Sequence, residues 1–224
     1  MDRRSRLDRR YSFILPPGWI RLDLRGDLRV EARKFAEVVL VDAPRDRAHG
    51  LKEALTTRVL ALCEGARAQG VLDLVLPVPL VAGSSFDASF AVLPFDAGEL
   101  DPVTIITGIA ARDGSAQLVE VADLVALRTE ETEAVNPDGI RQAVVDLSHD
   151  VGLADPADGT VEQALPTLVS RRVRYYLGHP ERPDDWVLIV LSAVQTDAEH
   201  SKQLADVVVQ LFDQIMLTVR FPRD

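Results

Sequence analysis

Residues Trp186 to Val194 read WVLIVLSAV, an almost unbroken apolar run too short for a spanning helix and rich in β-branched residues. Such a run buries both faces, so it predicts a central strand. Two flanking segments narrow the choice of fold further. Upstream, Leu168 to Leu177 (LVSRRVRYYL) is a second strand pattern, separated from the first by the turn-forming stretch Gly178 to Asp185. Downstream, Thr196-x-x-Glu199 has capping-box spacing. Behind it Leu204, Val208, Leu211, Phe212, Ile215 and Val219 form a helical stripe. Two strands joined by a turn and covered by a helix predict an antiparallel sheet with helices packed on it.

The remaining chain fits this scheme. Tyr11 to Leu15 and Ile20 to Leu24 read as strand pieces around Pro16-Pro17-Gly18. Asp27 is an N-cap for a helix whose apolar positions are Leu28, Ala32, Phe35, Val38 and Val39. A polar link around Arg45-Asp46-Arg47 leads to a second helix with Leu51, Leu55, Val59, Leu62, Cys63 and Ala66 on one side and Gly70 as its stop. Val71 to Pro77 and Phe86 to Leu93 are strand-like, joined through Gly83-Ser84-Ser85. Residues 102–110 have strand-favouring side chains, but Asp101-Pro102 is an N-cap followed by a first-turn proline, so a short helix is expected. Gln117 to Val121 and Leu124 to Thr129 form a hairpin turning at Ala122-Asp123. The expectation is a single α+β domain over residues 11–224 with about six strands. Residues 1–10 form a flexible polar arm, and residues 133–160 an acidic insertion.

Together several of these pieces resemble a group of uncharacterised actinobacterial proteins. They are Phe13-x-x-Pro16-Pro17-Gly18-Trp19 with Ile20-x-Leu22, the Arg-rich helix pair up to Gly70, Arg174-Tyr175-Tyr176-Leu177 before the Pro180 turn, and Leu211-Phe212-Asp213-x-Ile215 with Thr218-Val219-Arg220-Phe221. The same elements resemble the α+β fold of the photosystem II extrinsic P protein and of a nuclear import factor that binds the GTPase Ran. The resemblance spans most of the chain but not residues 133–160. It implies binding or assembly, not catalysis.

Chemistry-bearing motifs point the same way. The 224 residues carry 35 acids against 25 bases, a net charge of −10. Phosphate backbones and anionic membrane surfaces repel such a chain, so nucleic-acid binding is not expected, and no stretch approaches the ~20 apolar residues of a spanning helix, so membrane insertion is not expected either. The lone Cys63 lies on an apolar helix face and makes no intramolecular disulfide. The four histidines, His49, His149, His179 and His200, include no pair at ligand spacing, so no metal is expected. Nucleotide-binding glycine motifs and the GxSxG elbow are absent, so no cofactor and no catalytic residue is assigned.

Two binding features stand out. Trp19 sits at the Pro-Pro-Gly corner. Arg172 and Arg174 share a strand face with Tyr176, ready for an acidic partner or for the chain's own acidic 120–160 region. The first functional reading is therefore a cytoplasmic, non-catalytic protein-binding or assembly module with an unknown protein partner, using Trp19, Arg172, Arg174 and Tyr176. The second is an enzyme or small-ligand binder with its site between sheet and helices near His179, Arg174 and Asp184. The third is self-association, as a homo-oligomer subunit or a secretion-apparatus accessory protein.

Overall fold

A computed structural model describes residues 11–41, 45–78, 88–95, 101–135 and 168–222; for residues 45–48 it describes the backbone alone. Among these residues the chain forms one seven-stranded antiparallel sheet and four helices. In chain order they are β1 (Trp19–Asp23), α1 (Leu28–Val39), α2 (Arg45–Ala68), β2 (Asp73–Pro77), β3 (Ala88–Phe95), α3 (Pro102–Arg112), β4 (Gln117–Val121), β5 (Leu124–Ala134), β6 (Val169–His179), β7 (Arg182–Gln195) and α4 (Glu199–Met216). The sheet order is β1-β2-β3-β7-β6-β5-β4. The α+β class holds, with seven strands where about six were expected.

The apolar run at 186–194 lies in β7, the middle strand. Its alternate residues Val187, Ile189, Leu191 and Ala193 are buried beneath α4. From α4 come Ala205, Val208, Val209, Phe212, Ile215 and Met216. Leu204, expected in the stripe, stands outside it. Phe90 is the hub of this layer. Its ring meets Phe13, Trp19 and Phe212 at centroid distances of 5.6, 5.9 and 5.4 Å.

The opposite face carries two separate helix layers. One is the α1–α2 hairpin, whose Leu28, Ala32, Phe35, Val59 and Cys63 pack on Leu22, Leu24 and Leu74. The other is α3, whose Ile106 packs on Leu127 and Tyr176.

Local signals explain most boundaries. The Asp27 carboxylate accepts from Arg29 N–H at 2.9 Å and starts α1. Asp101 does the same for α3 through Thr104 N–H at 2.9 Å, with Pro102 in the first turn, so residues 102–110 are helical. Gly70 takes φ +87° after α2, which frees Val71 N–H to reach back to the Ala66 carbonyl at 3.1 Å.

Several expectations are corrected. Tyr11 to Leu15 form no strand; only Ser12 bridges, to Arg220, because Tyr11 and Phe13 are drawn into the aromatic layer. Arg45-Asp46-Arg47 opens α2 and is no link. Val38, Leu51 and Leu62 are exposed, since Ala36 and Thr56 occupy the inward positions. Val71 and Leu72 are buried but precede β2. The turn between β6 and β7 shrinks to Pro180-Glu181, and the register shifts between Gly178 and His179. The capping box does not form: α4 starts at Glu199, and Ser201 Oγ accepts from Thr196 N–H at 2.9 Å. Glu133 and Ala134 belong to β5 and are no part of an insertion. Residues 1–10, Gly83-Ser84-Ser85, Phe86 and 136–160 lie outside the described residues.

Candidate functional site

Alternation along β6 sends Arg171, Tyr175 and His179 to the α4 face and Arg172, Arg174 and Tyr176 to the other. On the α4 face the charges form a continuous lattice. Arg171 Nε donates to Glu130 at 2.6 Å, and its Nη1 donates to Asp206 on α4. Arg128 bonds Glu130 at 3.0 Å and Asp213 at 3.1 Å. Tyr175 Oη donates to the same Asp213 at 2.7 Å. Burial and the Asp213 charge raise the Tyr175 hydroxyl above the ordinary phenol value, so it stays a donor. This lattice ties β5 and β6 to α4.

On the opposite face Arg174 donates to Glu131. Arg172 pairs with Glu133 at 2.8 Å and with Glu131 at 3.5 Å. The Arg174 hydrogen bond holds the Glu131 carboxyl below the usual range. Of the two expectations for these arginines, an acidic partner or the chain's own acidic region, the structure shows the second: they meet Glu131 and Glu133 one strand away. Adjacent Glu130 and Glu131 serve opposite faces, as strand geometry demands.

Tyr176 is buried against Ile106 and Leu127, edge-on to Phe95 at 5.3 Å. Trp19 is half-buried against Phe90. His179 is buried edge-on to Phe221 at 5.0 Å, and its Nδ1 accepts from Glu181 N–H at 3.1 Å. Asp184 is exposed. Arg174 and His179 lie on opposite faces of the sheet, so the trio His179, Arg174 and Asp184 does not converge. Beside the β6–β7 turn is a depression of about 410 Å³ lined by Asp123, Leu124, Pro180, Glu181, Arg220 and Phe221; it includes none of the three. Among the described residues no three His, Cys, Asp or Glu side chains cluster as a metal site would need.

A different surface emerges at β4, the last strand of the sheet. Its face towards α4 borders a groove of about 430 Å³, with Val119 and Val121 on one wall and Gln214 and Leu217 on the other. Arg128, Tyr175 and Asp213 line it too, already bonded to each other. On the far face Leu118 and Val125 are 72% and 64% exposed. The hairpin is legible in sequence; its place at the edge is not, because that depends on which strand β5 pairs with on its other side.

No family model, curated protein or solved structure matches this chain. No described helix is long and apolar enough to cross a membrane.

Proposed function

We propose that this chain is a cytoplasmic, non-catalytic module that binds another protein or supports its assembly. One observation carries the reading: the division of the surface. Arg171, Arg172 and Arg174 are matched to Glu130, Glu131, Glu133 and Asp206 within the chain. Meanwhile large apolar side chains stand in solvent, among them Val38, Leu62, Leu118, Val125 and Leu217. Paired charges favour a fixed scaffold over proton transfer, whereas Leu118 and Val125, diagonal neighbours on one face of the β4–β5 hairpin, offer contact area to a partner. The separation of Arg174 from His179 weighs against the ligand-site reading.

The test places a photoactivated cross-linking residue at Val38, Leu62, Leu118 and Leu217 in turn, in cells expressing the chain. The reading expects one discrete adduct from at least one position. Diffuse or absent adducts at all four overturn it. An adduct of twice the chain's own mass assigns the surface to a second copy.

A further inference from the structure

We propose that the outer edge of β4 docks an extended segment of another protein whose side chains alternate between apolar and basic. The proposal rests on the binding reading above and names its site and ligand class.

Pairing fixes which backbone groups are available. Val121 and Leu124 close a two-residue hairpin, which makes them a hydrogen-bonded pair; alternation then makes Val119–Ala126 and Gln117–Arg128 bonded pairs as well. Beyond the strand end, Glu130 N–H points to the same side and donates to Ser115 Oγ at 2.9 Å, as this phase requires. Leu118 and Glu120 therefore aim their N–H and C=O groups away from β5. Among the described residues no strand pairs with that side.

Sheet edges are ordinarily protected by short strands, charged side chains, proline or a bulge, and at five residues with one charge, Glu120, β4 is lightly protected. Residues 117–121 read QLVEV, with no lysine and no proline, and the β4–β5 register runs without a shift. An added strand gains backbone hydrogen bonds from Leu118 and Glu120 and sets alternate side chains on the two faces. One set enters the groove, where Val119, Val121 and Leu217 offer apolar contact beside Gln117, Gln214 and the bonded Arg128, Tyr175 and Asp213. The other lies beside Leu118 and Glu120.

Charge selects the partner. From Asp113 to Leu127 the chain carries Asp113, Glu120 and Asp123 and no base, within a net charge of −10. Of the nearby bases, Arg128 is neutralised by Glu130 and Asp213, Arg112 ends α3 beside Asp113, and Arg220 lines the same depression as Asp123, so the acid on the strand itself is Glu120. A basic segment fits this edge. A second copy would bring another Glu120 and another −10.

The probe is a labelled, capped peptide of alternating valine and lysine, titrated by fluorescence anisotropy. The expected result is saturable binding that weakens with salt. It should weaken at least tenfold when alternate peptide nitrogens are methylated on the pairing side, and again in Glu120→Pro, which deletes an outward N–H and leaves the β5 bonds intact. Leu118→Lys, which leaves the backbone alone, should weaken binding several-fold, so the test survives if the proline variant fails to fold. Equal binding of the methylated peptide, or binding untouched by Leu118→Lys, overturns the proposal. So does a sedimenting dimer that Leu118→Lys dissociates, which would give the edge to a second copy. Cellular cross-links from Val38 or Leu62 but none from Leu118 also overturn it, while leaving the binding reading in place.

Discussion

Asp73 is fully buried in β2, and its removal is the sharpest test of how this sheet is held at its β1 end. The carboxylate accepts from Tyr11 Oη and from Arg21 Nε and Nη2 at 2.8 and 2.7 Å, with Arg25 Nη2 at 3.6 Å. Burial and the Asp73 charge hold the Tyr11 hydroxyl well above the ordinary phenol value, so it remains a donor at any physiological pH. In Asp73→Ala two guanidiniums lose their shared partner. Hydrogen bonds to charged groups contribute ~1.5–3 kcal/mol each, and three are lost. That sum is discounted, because the Arg21 and Arg25 side chains keep 31% and 18% of their exposure and Asp23 still holds Arg25 at 2.7 Å. The expectation is a loss of about 3 kcal/mol, the lower end for breaking a buried pair. For a chain of this size that lowers the melting temperature by roughly 6–12 °C. Urea unfolding at pH 7, followed by fluorescence of Trp19 and Trp186, measures it. Removing Arg21 as well should cost less than Asp73→Ala alone, since the stranded charge goes too. A loss below ~1 kcal/mol in Asp73→Ala would mean that Asp73 does not anchor a buried charge pair, since such a pair cannot be broken so cheaply.

Three further positions give testable outcomes. Gly178→Ala places a Cβ 2.9 and 3.0 Å from the Trp186 ring, and the overpacking should cost ~1–3 kcal/mol in thermal unfolding. Ala122 holds φ +58° in the β4–β5 turn, so Ala122→Gly should raise stability by ~0.5–1 kcal/mol, read from the urea midpoint. Burial pushes the Cys63 thiol up to about 11, so a thiol reagent at pH 8 should label it only after denaturation. The unfolded thiol titrates near its ordinary value of 9.0; above that pH the unfolded chain binds fewer protons than the folded one, and stability should fall between pH 9 and 11. Cys63→Ala should flatten that limb of the pH profile.

The parts of the fold visible in sequence are those set by local chemistry. The apolar run of β7, the Asp27 and Asp101 caps, the Gly70 stop and the Ala122-Asp123 turn each need only neighbours along the chain. The misses come from tertiary competition. Thr196 and Glu199 match a capping box, yet Ser201 takes the hydrogen bond because α4 starts where its apolar face meets the sheet. Tyr11 looks like a strand residue, but Asp73, 62 positions away, claims its hydroxyl. Of the residues expected to bind, the shared face of Arg172, Arg174 and Tyr176 is legible from alternation alone. That Glu131 and Glu133 lie opposite them depends on the β5–β6 register. The β4 edge is invisible for the same reason, since the order of strands in a sheet is a non-local property.

The role proposed for this chain is to hold another protein. Affinity purification of the tagged chain from its native host at low salt, with the mass ratio of co-purifying proteins quantified, tests it most directly. One stoichiometric partner is expected, lost on Leu118→Lys and at high salt. A monomeric chain recovered with no partner under the same conditions would contradict it.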